Sequence, residues 1–350
     1  MTKKNIYLFF FLFIFLLSHC SIPHQQSRQI WYGGKEDKDV AEKLLIEQKS
    51  ESNLLKIFSS ENIYDKEIEA SQNAILSKSV KNTSWKMSGK NYQNFLGNIY
   101  YSGLNKKFLK KKIGKNKFSI SNLLHTPLIF NSYIIMSDDT GTMFKLTKSG
   151  KIIWKNNIYK KVYKNIYKTL SFTIYKNKIF VADNIGLIYC IDFKNGNMLW
   201  IKNHGIPLKS KIKVYKDKIF VINQDNRILS LDVTDGSKVW DIRTVSSFIK
   251  SQNFLSLAIS EKGDLIALTS TGDLSKVNTA NGRIYWTFNA TGSSFAHDTD
   301  FFSSSEIVIA GNEIIFSTSA ATYSYNLTNG YLNWKIDLSS TNTPIVDTNN

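Results

Sequence analysis

From Ser84 onward, apolar residues alternate with polar ones in short runs broken by Asn, Asp and Gly. Four such runs follow one another in LSFTIY (170–175), KIFVAD (178–183), GLIYCIDF (186–193) and NMLWIKN (197–203). Period-two alternation over a few residues predicts half-buried β-strands, and the polar breaks predict tight turns. The layout recurs. TPLIF, YIIMSDD, TMFKLT and KIIWKNN come before it; KIKVY, KIFVIN, RILSLDV and KVWDIR come after. Then follow LSLAIS, DLIALTS, DLSKVN and RIYWTF, and finally EIVIAG, EIIFSTS, TYSYNL and YLNWKID. Every unit closes on Gly-x-x-x-Trp: Gly150/Trp154, Gly196/Trp200, Gly236/Trp240, Gly282/Trp286 and Gly330/Trp334. Successive tryptophans are 46, 40, 46 and 48 residues apart. Four short strands per unit at that period is the signature of propeller blades.

The turn chemistry explains the glycine. Asn-Gly and Asp-Gly steps favour tight hairpins because such turns demand positive φ, which glycine supplies without a steric penalty. Gly282 is thus expected to turn the third strand of its unit into the fourth. Trp286 then falls at an alternating position of the outermost strand, where its ring would cover the gap to a neighbouring blade.

The first 83 residues read differently. Lys3 and Lys4 precede an unbroken apolar run, Ile6 to Leu17, too short for a comfortable bilayer span and suited to an export signal. The run ends in Leu17-Ser18-His19-Cys20, which resembles a bacterial lipobox, with His19 where a small residue is usual. The resemblance implies a lipidated Cys20, and Ser21 after it implies sorting to the outer membrane. Residues 1–20 are therefore read as a lipoprotein-type signal peptide. Residues 21–83 are read as a flexible polar tether with weak helices, the apolar spacing over 39–58 being loosely helical. Residues 84–350 form the propeller body.

Composition changes the picture little. The formal charge of +17 would suggest an anionic partner, but only four of the 45 basic residues are arginine, and the lysines are spread along the chain. The densest run, KKFLKKKIGKNK (106–117), reads as a lysine-guarded strand edge, and no nucleic-acid partner is expected. Cys190 sits at an alternating strand position as a small buried hydrophobe. The five histidines are scattered, no metal-ligand spacing occurs, and neither a metal nor a catalytic residue is assigned.

Asp232, Asp235, Gly236 and Trp240 resemble the consensus of the PQQ-type β-propeller repeat. Two classes share that repeat. Quinoprotein dehydrogenases hold a quinone and calcium in the central channel, with a vicinal disulfide and an acidic constellation; neither motif is present. The other class is the BamB family of outer-membrane assembly lipoproteins. SWKMSGKNYQNFLGNIYYSG (84–103) resembles the opening segment of some members, with Trp85, Gly89 and Asn91 in place. Leu104–Gly114 is expected to be a lone outer strand that completes a blade.

That resemblance implies an eight-bladed ring. Residues 343–350 repeat the opening of a blade, so the sequence reads as about five full blades plus a partial one, truncated at the C-terminus. It implies no cofactor and a non-enzymatic scaffold, lipid-anchored at the periplasmic face of the outer membrane. Expected partners are the POTRA domains of a BamA-type subunit, other barrel-assembly subunits and unfolded outer-membrane protein clients. Asp298 and Asp300 reproduce the family's D-x-D docking loop, and Phe248, Ile249 and Lys250 fall where its aliphatic-basic loop would be. The alternatives are a periplasmic propeller with another partner or ligand, for which Tyr323 and Tyr325 would line a funnel, or a quinoprotein enzyme.

Overall fold

The computed structural model describes residues 35–54, 75–103, 109–118, 126–243, 255–290 and 303–347. Among these residues, five four-stranded antiparallel sheets follow one another, each in simple meander order. The first is β1 (Leu128–Phe130), β2 (Tyr133–Ser137), β3 (Met143–Thr147) and β4 (Ile152–Asn156). The second is β5 (Leu170–Tyr175), β6 (Lys178–Asp183), β7 (Leu187–Asp192) and β8 (Met198–Asn203). The third is β9 (Lys213–Tyr215), β10 (Lys218–Ile222), β11 (Arg227–Asp232) and β12 (Lys238–Arg243). The fourth is β13 (Ser256–Ile259), β14 (Asp264–Leu268), β15 (Asp273–Asn278) and β16 (Ile284–Asn289). The fifth is β17 (Val308–Ala310), β18 (Glu313–Ser317), β19 (Thr322–Asn326) and β20 (Leu332–Ile336). These are propeller blades: the first strands of neighbouring blades lie side by side (β1 with β5, β5 with β9, β13 with β17), and the fourth strands lie outermost.

The core lies between blades. Phe180, Ile188 and Cys190 of the second blade pack with Val214, Ile219 and Leu229 of the third. Phe220, Ile222 and Ile228 pack in turn with Leu257, Leu265 and Ala267 of the fourth. Both faces of a blade are thus buried, which explains why the middle strands read as near-continuous apolar runs. Cys190 is fully buried in this seam, and burial pushes its thiol up to about 12. The thiolate is the reactive species. Iodoacetamide at about pH 8 is therefore expected to leave the Cys190 peptide unlabelled in the folded protein and to label it in denaturant, as read by peptide mass spectrometry. Labelling at equal rates in both states would contradict this burial.

The chain divides into two compact units, Met1–Glu47 with Tyr159–Ile166, and Gln48–Ile158 with Tyr167–Asn350. A helix, α1, runs over Lys35–Leu54, starting earlier than the loose spacing predicted. In the first unit Ala41 and Leu44 are buried, and Asp37 accepts hydrogen bonds from Lys160 Nζ (2.5 Å) and Tyr163 Oη (3.0 Å). In the second, the Gln48 side chain exchanges two hydrogen bonds with the Tyr167 backbone, at 3.0 and 3.1 Å. No helix among the described residues is long and apolar enough to cross a membrane.

Candidate functional site

The Gly-x-x-x-Trp repeat forms a seam that runs from blade to blade. A methyl group at Gly196 would lie 2.6 Å from the ring of Trp154, one at Gly236 2.6 Å from Trp200, and one at Gly282 2.9 Å from Trp240. Trp286 stands over Gly330 in the same way, at 3.1 Å. Each indole N–H reaches a carbonyl in the turn of the following blade: Trp154 to Phe193 (3.3 Å), Trp200 to Val233 (3.1 Å), Trp240 to Thr279 (3.3 Å) and Trp286 to Thr328 (3.3 Å). Each of these four tryptophans therefore covers a bare glycine, held by one hydrogen bond at its polar edge. The fifth, Trp334, is 37% exposed on the outer strand of the last described blade.

Two local details differ from the sequence expectation. The turn is not a two-residue hairpin. Gly282 N–H donates to the carbonyl of Asn278, four residues back, and Asn278 Oδ1 accepts the N–H groups of Ala280 and Asn281. Asp192, Asp232 and Asn326 open equivalent turns before Gly196, Gly236 and Gly330. An Asx side chain caps the turn, and glycine (φ 76° at Gly282) closes it. Nor does the outer strand alternate simply. Trp286 pairs with Lys276 and Ile284 with Val277, so Tyr285 is left over as a bulge. The same shift leaves out Ile153, Leu199, Val239 and Asn333. One extra residue reverses the alternation, turning the tryptophan toward the next blade and the bulged residue to solvent.

Of the lone outer strand expected over Leu104–Gly114, residues 104–108 lie outside the described residues, and 109–114 pair with no strand ladder. They nevertheless occupy the seam: Leu109 and Lys111 meet Gly150 as Trp200 and Lys202 meet Gly236.

Sequence reasoning missed a further feature. The stretch from Trp85 to Asn94 touches an inner strand or its lead-in in all five blades. Trp85 exchanges backbone hydrogen bonds with Ile129 (2.7 and 2.9 Å), and Lys86 O accepts from Ile174 N (2.8 Å). Tyr92 O accepts from Ile259 N (2.8 Å), and Gln93 O from Ile309 N (2.9 Å). In the third blade the contact is a side chain. Lys213, wholly buried, donates to Ser88 O (2.8 Å), Asn91 O (3.0 Å) and Asn94 Oδ1 (2.5 Å). Asn94 Nδ2 then donates to Leu257 O (3.0 Å) and Ile307 O (2.8 Å). Gly89 is required here, because a side chain would strike Asn94. The signal available in the sequence was a lysine between Ile212 and Val214, where an inner strand should be apolar.

The predicted docking residues Phe248, Ile249, Lys250, Asp298 and Asp300 lie outside the described residues, as does Cys20. Topology fixes only where their connections attach. One joins β12 to β13 and enters the fourth blade; the other leaves it between β16 and β17. In a four-stranded antiparallel blade the first strand begins and the last ends at the same edge, so both connections attach at one end of the fourth blade. Tyr323 and Tyr325 line no funnel. Each is 6% exposed and stacked near Phe316 (5.6 and 6.0 Å), and Tyr325 Oη donates to Ala290 O (2.7 Å). Among the described residues no group of three or more His, Cys, Asp or Glu side chains is arranged to hold a metal ion.

Four-stranded blades joined by Asx-Gly turns and tryptophan seams define a PQQ-like β-propeller repeat protein. The sequence family described as outer membrane protein assembly factor BamB matches residues 145–350, more than half of the chain, and the chain belongs to that family. Among solved structures it is similar to BamB from Moraxella catarrhalis, with 15% identity and a TM-score of 0.52 over 62% of this chain and 65% of that one. It is similar also to a europium-containing methanol dehydrogenase, with 14% identity and a TM-score of 0.52 over 73% of this chain and 58% of that one. The chain thus spans less than two thirds of either structure, and at these identities the likeness concerns the fold. No curated protein matches the sequence.

Proposed function

We propose that this chain is a non-enzymatic scaffold of the outer-membrane β-barrel assembly machinery. In this reading it is anchored by a lipid on Cys20 at the periplasmic face and docks the POTRA domains of a BamA-type subunit. Membership of the BamB family is the observation that carries the reading. Two further features support it. The backbone groups of Ile174, Ile259 and Ile309 are taken by the chain's own Trp85–Asn94 stretch. The inner strands are thereby committed to self-contact, and the inter-blade connections are left to meet partners. The connections that contain Phe248–Lys250 and Asp298–Asp300 attach at one end of the fourth blade, which is compatible with both meeting one partner surface.

The test is co-purification from detergent-solubilised outer membrane. Asp298→Lys with Asp300→Lys is expected to abolish recovery of the POTRA-bearing subunit while leaving the melting temperature unchanged. Recovery at the wild-type level would reject the docking assignment. Recovery of no barrel-assembly subunit by the wild-type protein would reject the scaffold reading itself.

A further inference from the structure

The lysines look evenly spread in sequence but not on the folded chain. Residues 109–118 lie along the first blade: Lys111 Nζ donates to Gly150 O (2.9 Å), Lys115 N to Asp138 Oδ2 (3.0 Å) and Phe118 N to Asp139 Oδ2 (2.6 Å). This brings Lys110, Lys112 and Lys115 to a blade whose own turn and outer strand carry Lys148, Lys151 and Lys155. All six are exposed. Among the described residues no carboxylate lies in ion-pair range of any of them. The blade's two carboxylates, Asp138 and Asp139, are 3% and 2% exposed. Asp138 is also taken up by the backbone N–H groups of Thr140, Thr142 and Lys115.

The third, fourth and fifth blades are different. Arg227 and Lys238 both pair with Asp241 (2.5 and 2.6 Å), Lys276 with Asp264 (3.2 Å) and Lys335 with Asp337 (3.0 Å). Apolar surface also lies within the basic one. Ile152 and Ile153, between Lys151 and Lys155, are 40% and 44% exposed, and Ile153 is the residue that the bulge turns outward.

We propose that the outer face of the first blade is a docking surface for an anionic phospholipid membrane. Lysines act as flexible point charges toward phosphate, without the planar fork that arginine uses to read carboxylates and base edges. Their long stems let the ammonium groups reach headgroups while aliphatic side chains between them enter the interface. Each lysine close to an anionic leaflet strengthens binding several-fold, an effect that fades beyond a Debye length. The inference is independent of which protein partner the inter-blade connections bind.

Vesicle flotation of the full chain tests it, comparing phosphatidylcholine alone with vesicles containing about one-third phosphatidylglycerol. The N-terminal apolar run contributes to both, so the gain on adding the anionic lipid is the readout. That gain is expected to be about ten-fold or more at about 50 mM salt and to fall steeply by about 300 mM. Lys110→Gln, Lys112→Gln, Lys148→Gln and Lys151→Gln together should reduce it to about two-fold or less. Lys148→Gln with Lys151→Gln should give an intermediate loss if the quadruple variant folds poorly. Lys194→Gln, Lys202→Gln, Lys216→Gln and Lys262→Gln, which remove the same charge from other blades, should retain the gain. Equal losses in the two quadruple variants would reduce the effect to net charge and overturn the proposal. So would no loss in the first, or duplex DNA binding more tightly than the vesicles through the same lysines.

Discussion

Replacing Gly236 with alanine is expected to destabilise the second unit by about 3 kcal/mol, from two separable causes. The residue sits at φ 73°, where an L side chain costs about 1–2 kcal/mol. Its new methyl would also stand 2.6 Å from Trp200 Cζ3 and 2.9 Å from Lys202 Cγ, well inside contact distance. The indole is held by its hydrogen bond to Val233 O and has no room to retreat without opening the seam. Overpacking of this kind costs about 1–3 kcal/mol. Gly205 provides the control: its φ is 72°, and nothing lies within 4 Å of its would-be methyl. Gly205→Ala should therefore cost only the backbone part, about 1 kcal/mol. In a Trp200→Leu background the steric part of the Gly236→Ala penalty should largely vanish. Denaturant unfolding of the three variants measures this. Equal losses at Gly236 and Gly205 would mean that the glycine serves the turn alone and not the tryptophan.

Lys213→Met is expected to cost about 3 kcal/mol at pH 7, through a different mechanism. The substitution keeps the volume but leaves Ser88 O, Asn91 O and Asn94 Oδ1 without their shared donor. Asn91 O keeps its weak bond from Asn94 N–H (3.4 Å), but Ser88 O and Asn94 Oδ1 are left unpaired, which costs about 1–3 kcal/mol each, partly offset by no longer burying an ammonium. The offset has a pH signature. Burial lowers the Lys213 ammonium from its usual 10.5 to about 8. Between those values the unfolded chain binds the proton and the folded chain does not, so stability rises with pH across that window. A displacement of that size corresponds to about 3 kcal/mol, present as a penalty below pH 8 and relieved by pH 10.5. Lys213→Met lacks the titration, so the gap between wild type and variant should widen by about 3 kcal/mol as pH is raised. Other groups, including Lys168, which is also lowered to about 8 by burial, titrate in both proteins and cancel. A gap constant with pH would mean that Lys213 is not buried as an ammonium.

The propeller was legible because its information is local and repeated. Alternation identified strands such as β6 and β7 almost to the residue, and Gly-x-x-x-Trp marked every blade, since each repeat solves the same packing problem against its neighbour. The bulge before each tryptophan was not legible. Nothing in RIYWTF says that Tyr285 is left out of the ladder, because the pairing partners Lys276 and Val277 decide it. The reason that glycine recurs was also only half visible. Positive φ belongs to the turn, but the indole overhead belongs to the previous blade, 36 to 44 residues earlier in the chain.

The candidate docking residues stand where the sequence left them, since they lie outside the described residues. What the sequence by itself determined was the repeat, its strands, where its turns fall and the kind of protein they build. Tertiary structure decided what long-range pairing decides. It joined Trp85–Asn94 to five inner strands, gave Lys213 three acceptors from a stretch more than a hundred residues away, and gathered lysines from two separate segments onto one blade. A strand's own side chains fix which face is apolar; only the closing of the blades against one another fixes what that face, and the edge beside it, will meet.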